Sequence, residues 1–382
     1  MPVRTITSGL NLSWPIDRRV IEDAAAFNAR ARDAIEATGA EVQSTRLATQ
    51  PWSEYAGSRT ADEVVAMALK VEEVCADGGV DFVSLGAVPG SHATVCPSII
   101  AATERVSLAV SITDGGKAVD EAVRAAAGAI VLIGRDTDRG AGNFRFGATA
   151  NCPPDIPFFP ASSHHGGPCF MLGIEGGRMV MEAFNSARGM GLDRAAAALV
   201  EVFERHLAPV EAAAVEISRR EGTRFHGIDV SPAPGLGPES SVAYAFERLG
   251  IGRFGAPGTL AVAAAVTSAL RRLRLRTCGY SGLMLPLLED AGLVRRFDEG
   301  AFGIEDLLLF SSVCGTGLDA VPLPGDVSGE RVADILLDVA ALASRLDKPL
   351  SARLLPVPGR SAGERTDFGS PYLLDCTIPE VR

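Results

Sequence analysis

The chain has 382 residues and a formal net charge of -11, with 47% apolar and 22% charged residues. This is the composition of a folded soluble protein, long enough for one large domain or two with ample core. The acidic balance excludes nucleic acid and anionic membrane as main partners, since both need basic surface, but leaves room for an arginine pocket holding a small anion.

The pattern alternates from the start. Val3–Leu10 is β-prone, and Ser13 before Pro15 suits the cap of a helix over Asp17–Thr38. Glu41–Leu47 follows as a strand, and Thr60–Glu63 is a T-x-x-E capping box for a helix ending at Gly78–Gly79. Val80–Gly86, Val106–Ile112 and Ala129–Ile133 are near-continuous apolar runs of the kind covered on both faces in parallel sheets, with a helix predicted over Lys117–Ala127. Residues 134–147 are polar and Gly/Arg-rich and predict a mobile loop or an active-site lid.

Ala150–Gly177 carries five prolines and the adjacent pair His164 and His165, which excludes a long helix until the strand-like CFMLGIE. Asp193–Glu221 has a helical pattern that Pro209 is expected to interrupt. Arg224–Ser240 predicts a strand entering a Pro/Gly loop, and Ser240–Leu249 and Gly258–Arg274 predict helices. The loudest signal is Gly279–Asp326, where GYSGLMLPLLED precedes LLLFSSVCGTGLDAVPLPGD. It predicts an apolar LLLF strand, a tight CGTG turn and a second apolar segment. Helix Gly329–Leu346 and strand Leu350–Val357 follow, giving about ten strands alternating with helices, an α/β fold with no internal linker arranged as a closed barrel or one large sheet.

Seven scattered cysteines form no C-x-x-C pair, which argues against structural zinc and for a reduced, cytoplasmic setting. The amino terminus lacks a basic start and apolar core, so no signal peptide is expected. The longest charge-poor stretch, Phe254–Leu270, is too short to span a bilayer. Neither G-x-G-x-x-G nor G-K-[ST] opens a helix and G-x-S-x-G is absent, so NAD, flavin and ATP sites and a serine hydrolase of that type lack support.

Several motifs together carry a resemblance: GVDFVSLGA, His165-Gly166 after PFFPAS, GIDVSPAP, SVAYAFE, APGTLA, GYSGLMLPLLED, VCGTGLDAVPLPGD, KPLSARLLPVPG and Gly363. In this order they resemble domain-of-unknown-function family 711 over nearly the whole chain. The resemblance implies a single domain, 1–382, built as a barrel of about ten strands with outer helices, similar to the barrel of pyruvate formate-lyase and anaerobic ribonucleotide reductase. It does not imply their glycyl-radical chemistry. PGRSAGERTDFGSPYLLDC lacks the R-V-x-G-Y-type pattern around a radical glycine, and the turn bears one cysteine rather than two.

The candidate residues each have a plain alternative. Cys314 in its glycine turn is a thiol nucleophile or a small buried hydrophobe. Of the histidines, His165 is favoured by the resemblance, while His226 reads as a core residue and His92 as a weak candidate. Asp229 and Asp319 end apolar runs before Pro-containing loops and are expected to converge at one rim of the barrel. Arg353, inside an apolar strand, needs either an acid partner or a substrate anion. Lys348, Ser281, Gly282, Gly315 and Gly317 are the other expected substrate contacts, through charge and backbone N–H groups. Glu239 and Asp290 are candidate ligands for a divalent cation such as Mg²⁺ or Ca²⁺, although no spacing fixes a metal. Glu239 and Asp326 also suit helix starts.

The expected function is an enzyme of lyase or hydrolase type acting on a small carboxylate or phosphate compound by acid–base or metal-assisted chemistry. The alternative is a non-catalytic metabolite-binding or regulatory protein. The expected partners are a small-molecule substrate and further copies of the chain.

Overall fold

A computed structural model describes residues 2–381. Its strands are β1 (Pro2–Leu10), β2 (Glu41–Val42), β3 (Thr45–Thr49), β4 (Phe82–Pro89), β5 (Val106–Ser111), β6 (Thr113–Asp114), β7 (Lys117–Ala118), β8 (Phe146–Ala150), β9 (Cys169–Glu175), β10 (Arg224–Ala233), β11 (Gly317–Pro324) and β12 (Leu350–Val357). Ten of them form one sheet in the order β10-β9-β1-β3-β4-β5-β8-β12-β11, with β2 also on β1; β6 and β7 make a separate small ladder.

The central run β1, β3, β4, β5, β8 is parallel throughout. At each side the direction reverses once, β9 against β1 and β12 against β8, before β10 and β11 extend the sheet in parallel with their neighbours. Among the described residues the ladder does not close into the expected barrel; it is one large sheet with β10 and β11 at its edges. Its edges β10 and β11 instead each make an isolated parallel bridge to the same segment, Ile228 with Thr277 and Pro286 with Asp319. One apolar cluster extends from Val3 to Ile378, so residues near both chain ends share a core.

Local chemistry accounts for most boundaries. Thr60 and Glu63 complete the capping box of helix Ala61–Asp77, and helix Gly329–Leu346 starts behind Ser328, whose hydroxyl accepts from Arg331 N. The first helix, Arg18–Glu36, is capped by Asp17, not Ser13; the Asp17 carboxylate accepts from Arg19 N at 3.0 Å.

Four expectations are corrected. Ala129–Ile133 lies inside helix Asp120–Asp136, whose buried Val123, Ala127, Ile130 and Ile133 form one stripe; an all-apolar window hides that period. LLLF belongs to helix Ile304–Ser311, begun by Asp306 accepting the Gly303 N–H at 2.9 Å, with Leu309 turned outward. Pro209 sits within a continuous helix, Leu192–Glu221, because Phe203, Leu207, Val210 and Ala214 hold both halves on the core. Residues 134–147 contain the end of a helix, a 3₁₀ segment and the start of β8 rather than one loop.

Candidate functional site

A cavity of about 550 Å³ opens beside the central strands, lined largely by charged and aromatic side chains. Five arginines (Arg4, Arg46, Arg105, Arg145, Arg353) and five acids (Asp81, Glu104, Glu175, Glu289, Asp319) face it, with Phe82, Phe144, Phe158, Phe159 and Tyr372. Most of these arginines are engaged. Arg145, for example, donates to the carbonyls of Ile100, Thr103 and Val106 at 2.7–2.9 Å.

Arg46 differs. It leaves β3 with its guanidinium 5.1 Å from the Phe159 ring centroid and 5.5 Å from that of Phe82. Its Nε donates to Ser44 Oγ at 3.1 Å, and among the described residues it makes no ion pair. Burial, then the nearby charge of Arg4, pushes its pKa down to about 9, so it stays cationic at neutral pH.

Another part of the lining is an alternating chain of charges. Arg4 donates to Glu289 at 2.8 Å, Glu289 accepts from Arg353 at 2.5 Å, and Arg353 Nε donates to Asp319 at 2.7 Å. The Arg353 guanidinium also lies 5.0 Å from the Phe144 ring centroid, and Tyr372 stacks on that ring at 5.7 Å. Two acids share Arg353, but Glu289 also has Arg4. Burial opposes ionisation of both. The two arginines nevertheless hold Glu289 below its usual pKa, whereas burial and the Glu289 charge leave Asp319 above its own. Such separation of neighbouring acids is a device for acid–base work.

The remaining expected residues lie apart from this wall. Asp229 is fully buried and saturated: it accepts from the N–H groups of Ser231, Tyr280 and Ser281 and from the Ser231 hydroxyl, at 2.6–3.0 Å. It therefore holds one end of the Thr277–Pro286 segment to β10, while Asp319 meets the other end at Pro286. Among the described residues the two share no hydrogen-bond partner. Asp290 is equally enclosed, accepting from Ser241, Val242, Gly292 and Leu293. Glu239 is on the surface with Arg178 at 2.9 Å, so Glu239 and Asp290 do not form a common cation site.

The glycines expected to meet a ligand meet the chain itself. A Cβ on Gly282 would lie 2.7 Å from Gly315 Cα, and one on Gly317, at φ +98°, 2.3 Å from Ser351 O. Ser281 donates to Cys278 O at 2.7 Å, and the Lys348 ammonium is taken by the carbonyls of Ser311, Ser312 and Cys314 at the end of a helix. Cys314 is buried, its sulfur accepting from Gly317 N at 3.4 Å. His165 is exposed; its neighbour His164 is the ring that turns inward.

The family model described as "Uncharacterised ACR (DUF711)" matches residues 1–370. The chain belongs to this family. It is 30% identical over 400 residues to a UPF0210 protein of Desulforudis audaxviator, covering 97% of this chain and 88% of that one. It is 33% identical over 357 residues to a UPF0210 protein of Pyrobaculum arsenaticum, covering 87% and 78%. A UPF0210 protein of Halothermothrix orenii is 28% identical over 399 residues, covering 97% and 88%.

In this DUF711 chain, sequence reasoning reached Arg353 and Asp319 but not Arg4, Arg46, Phe82 or Phe159. Arg46 had the same signal as Arg353: an arginine in a short β-prone run, TRLAT, where a buried cation needs a reason. Glu289 stood out only as one acid among several.

Proposed function

We propose that the cavity binds a small metabolite through one anionic group held by Arg46, and that Asp319 moves a proton on it. The observation that carries this reading is Arg46 itself, a half-buried guanidinium beside two aromatic rings with no acid among the described residues paired to it. A guanidinium so placed suits a carboxylate or monophosphate, with Phe82 and Phe159 excluding water around it. The balance of acids and arginines in the rest of the lining disfavours a polyphosphate.

Asp319 is the acid less firmly held ionised, so it is the member that would give or accept the proton, while Arg353 fixes its orientation. Elimination or hydrolysis next to a carbonyl fits such a pair without radical chemistry. In the same reading, Thr277–Pro286 occupies the gap between β10 and β11 and completes a barrel-like wall. Binding without turnover is the second reading, favoured by the 2.7 Å ion pair that already engages Asp319.

The test is a screen of small carboxylates and phosphate monoesters, read by ligand-detected NMR and product analysis. Consumption of a ligand that Arg46→Met no longer binds, and that Asp319→Asn binds without converting, supports the enzyme. Binding with no product supports the second reading, and no Arg46-dependent ligand among these compounds overturns both.

A further inference from the structure

A second cluster lies away from the arginines. Asp155, His164 and Cys169 are buried, and one ligand atom from each lies within 4.8 Å of the other two. His164 Nε2 is 3.1 Å from Gly166 O, and a carbonyl only accepts, so Nε2 carries the N–H. In the neutral ring Nδ1 is then a lone pair. Yet Nδ1 faces Asp155 Oδ1 at 2.8 Å and Cys169 Sγ at 3.8 Å. A carboxylate oxygen, an imidazole nitrogen and a sulfur thus converge in one buried site, donor types that together bind a metal ion.

We propose that Asp155, His164 and Cys169 bind a zinc ion. The donor set is a thiolate, an imidazole and a carboxylate; the first two select a borderline-soft metal over Mg²⁺ or Ca²⁺. The fourth position is left to water or a ligand entering past the exposed residues 165–168.

The backbone is built to hold this geometry. Gly9 on β1 leaves space for the ring, since a Cβ there would lie 2.3 Å from His164 Nδ1. The His164 N–H is fixed on Thr49 O at 2.9 Å, and Asp155 is held at φ +63° with its N–H on Ser163 O at 2.6 Å. The other Asp155 oxygen is turned to Arg224 at 3.6 Å and His226 at 3.8 Å, leaving Oδ1 for the metal. No C-x-x-C spacing announces the site because its ligands come from a proline-rich loop and the first residue of β9. The same loop carries Phe158 and Phe159 into the cavity wall, so the ion would also fix one side of the anion site.

Protein purified without a histidine tag, equilibrated with zinc and desalted, should retain one zinc per chain by mass spectrometry. Cobalt substitution should give a thiolate-to-metal charge-transfer band that Cys169→Ser abolishes and Cys314→Ser preserves. Wild-type protein that retains neither metal overturns the proposal, as does a cobalt band that survives Cys169→Ser. In either case His164 is simply hydrogen-bonded to Asp155.

Discussion

The cavity wall at Glu289 and the helix start at Asp290 are adjacent in the chain and opposite in chemistry. Both carboxylates are buried. Asp290 is surrounded by neutral donors of its own fold, three N–H groups and a hydroxyl, and burial leaves its pKa raised. Glu289 faces two guanidinium groups at a solvent-reaching cavity, and these hold its pKa down despite burial. Burial of an acid therefore does not by itself mark a site. The partner does: a carboxylate enclosed by backbone N–H groups is an anchor, and one sharing arginines at a cavity is part of a polar surface that a ligand can rearrange.

The contrast is most severely tested by removing the anchor. Asp290→Ala leaves several buried donors without an acceptor and removes the cap of helix Ala291–Asp298, and should destabilise the fold by on the order of 4–5 kcal/mol in urea unfolding. A loss below about 1 kcal/mol would show that water replaces the carboxylate and that the anchor is no anchor. Arg353→Gln comes next. It strands Asp319 beside Glu289 in a buried wall and should cost about 3–4 kcal/mol. Asp319→Asn in the same background should recover part of that loss, because it removes the acid left without its cation, Glu289 still having Arg4.

Acid titration separates the two acids by sign. Glu289 has a lowered pKa in the fold, so its contribution is present above the ordinary glutamate value of about 4.3 and is lost as pH falls. Asp290, with a raised pKa, acts in the other direction: its folded form binds the proton more tightly, and stability declines as pH rises through that window. Glu289→Gln should therefore flatten the acid limb of the stability profile by about 1–2 kcal/mol. An unchanged acid limb would mean that Arg4 and Arg353 do not hold this group ionised.

How much of this was legible follows from what each signal needs. Helix Gly329–Leu346 and strand Leu350–Val357 were readable to the residue, because apolar period, cap and flanking turn agree there. The all-apolar runs at Ala129–Ile133 and LLLF carry no period, so local composition misled at both. Arg353 was readable as a buried cation needing a partner, and the structure supplies Asp319 and Glu289. Asp229 stood out for the same reason, an acid in an apolar strand, but its partners are N–H groups of a segment 51 and 52 residues away, which no spacing reveals. Choosing His165 over His164 depended on which of two neighbours faces inward, and that is set by Thr49 and Gly9 on distant strands.

The smallest effect on stability is expected where the effect on binding is largest. Arg46 has Ser44 as its hydrogen-bond acceptor and two rings as its neighbours, so removing its charge takes away no ion pair. Its depressed pKa states that the cation is less comfortable here than in water. Arg46→Met keeps the apolar stem against Phe82 and Phe159 and should leave the unfolding midpoint unchanged or slightly raised, within about 0.5 kcal/mol. A ligand carboxylate that loses this guanidinium should bind roughly tenfold or more weakly, because hydrogen bonds to charged groups contribute about 1.5–3 kcal/mol. The paired measurement distinguishes the roles. A variant that is stable and fails to bind marks Arg46 as a ligand contact retained at some cost to the empty fold. A variant that loses several kcal/mol would instead mean that Arg46 supports the packing of Phe82 and Phe159, and the anion site would have to be sought at Arg4 and Arg353 alone.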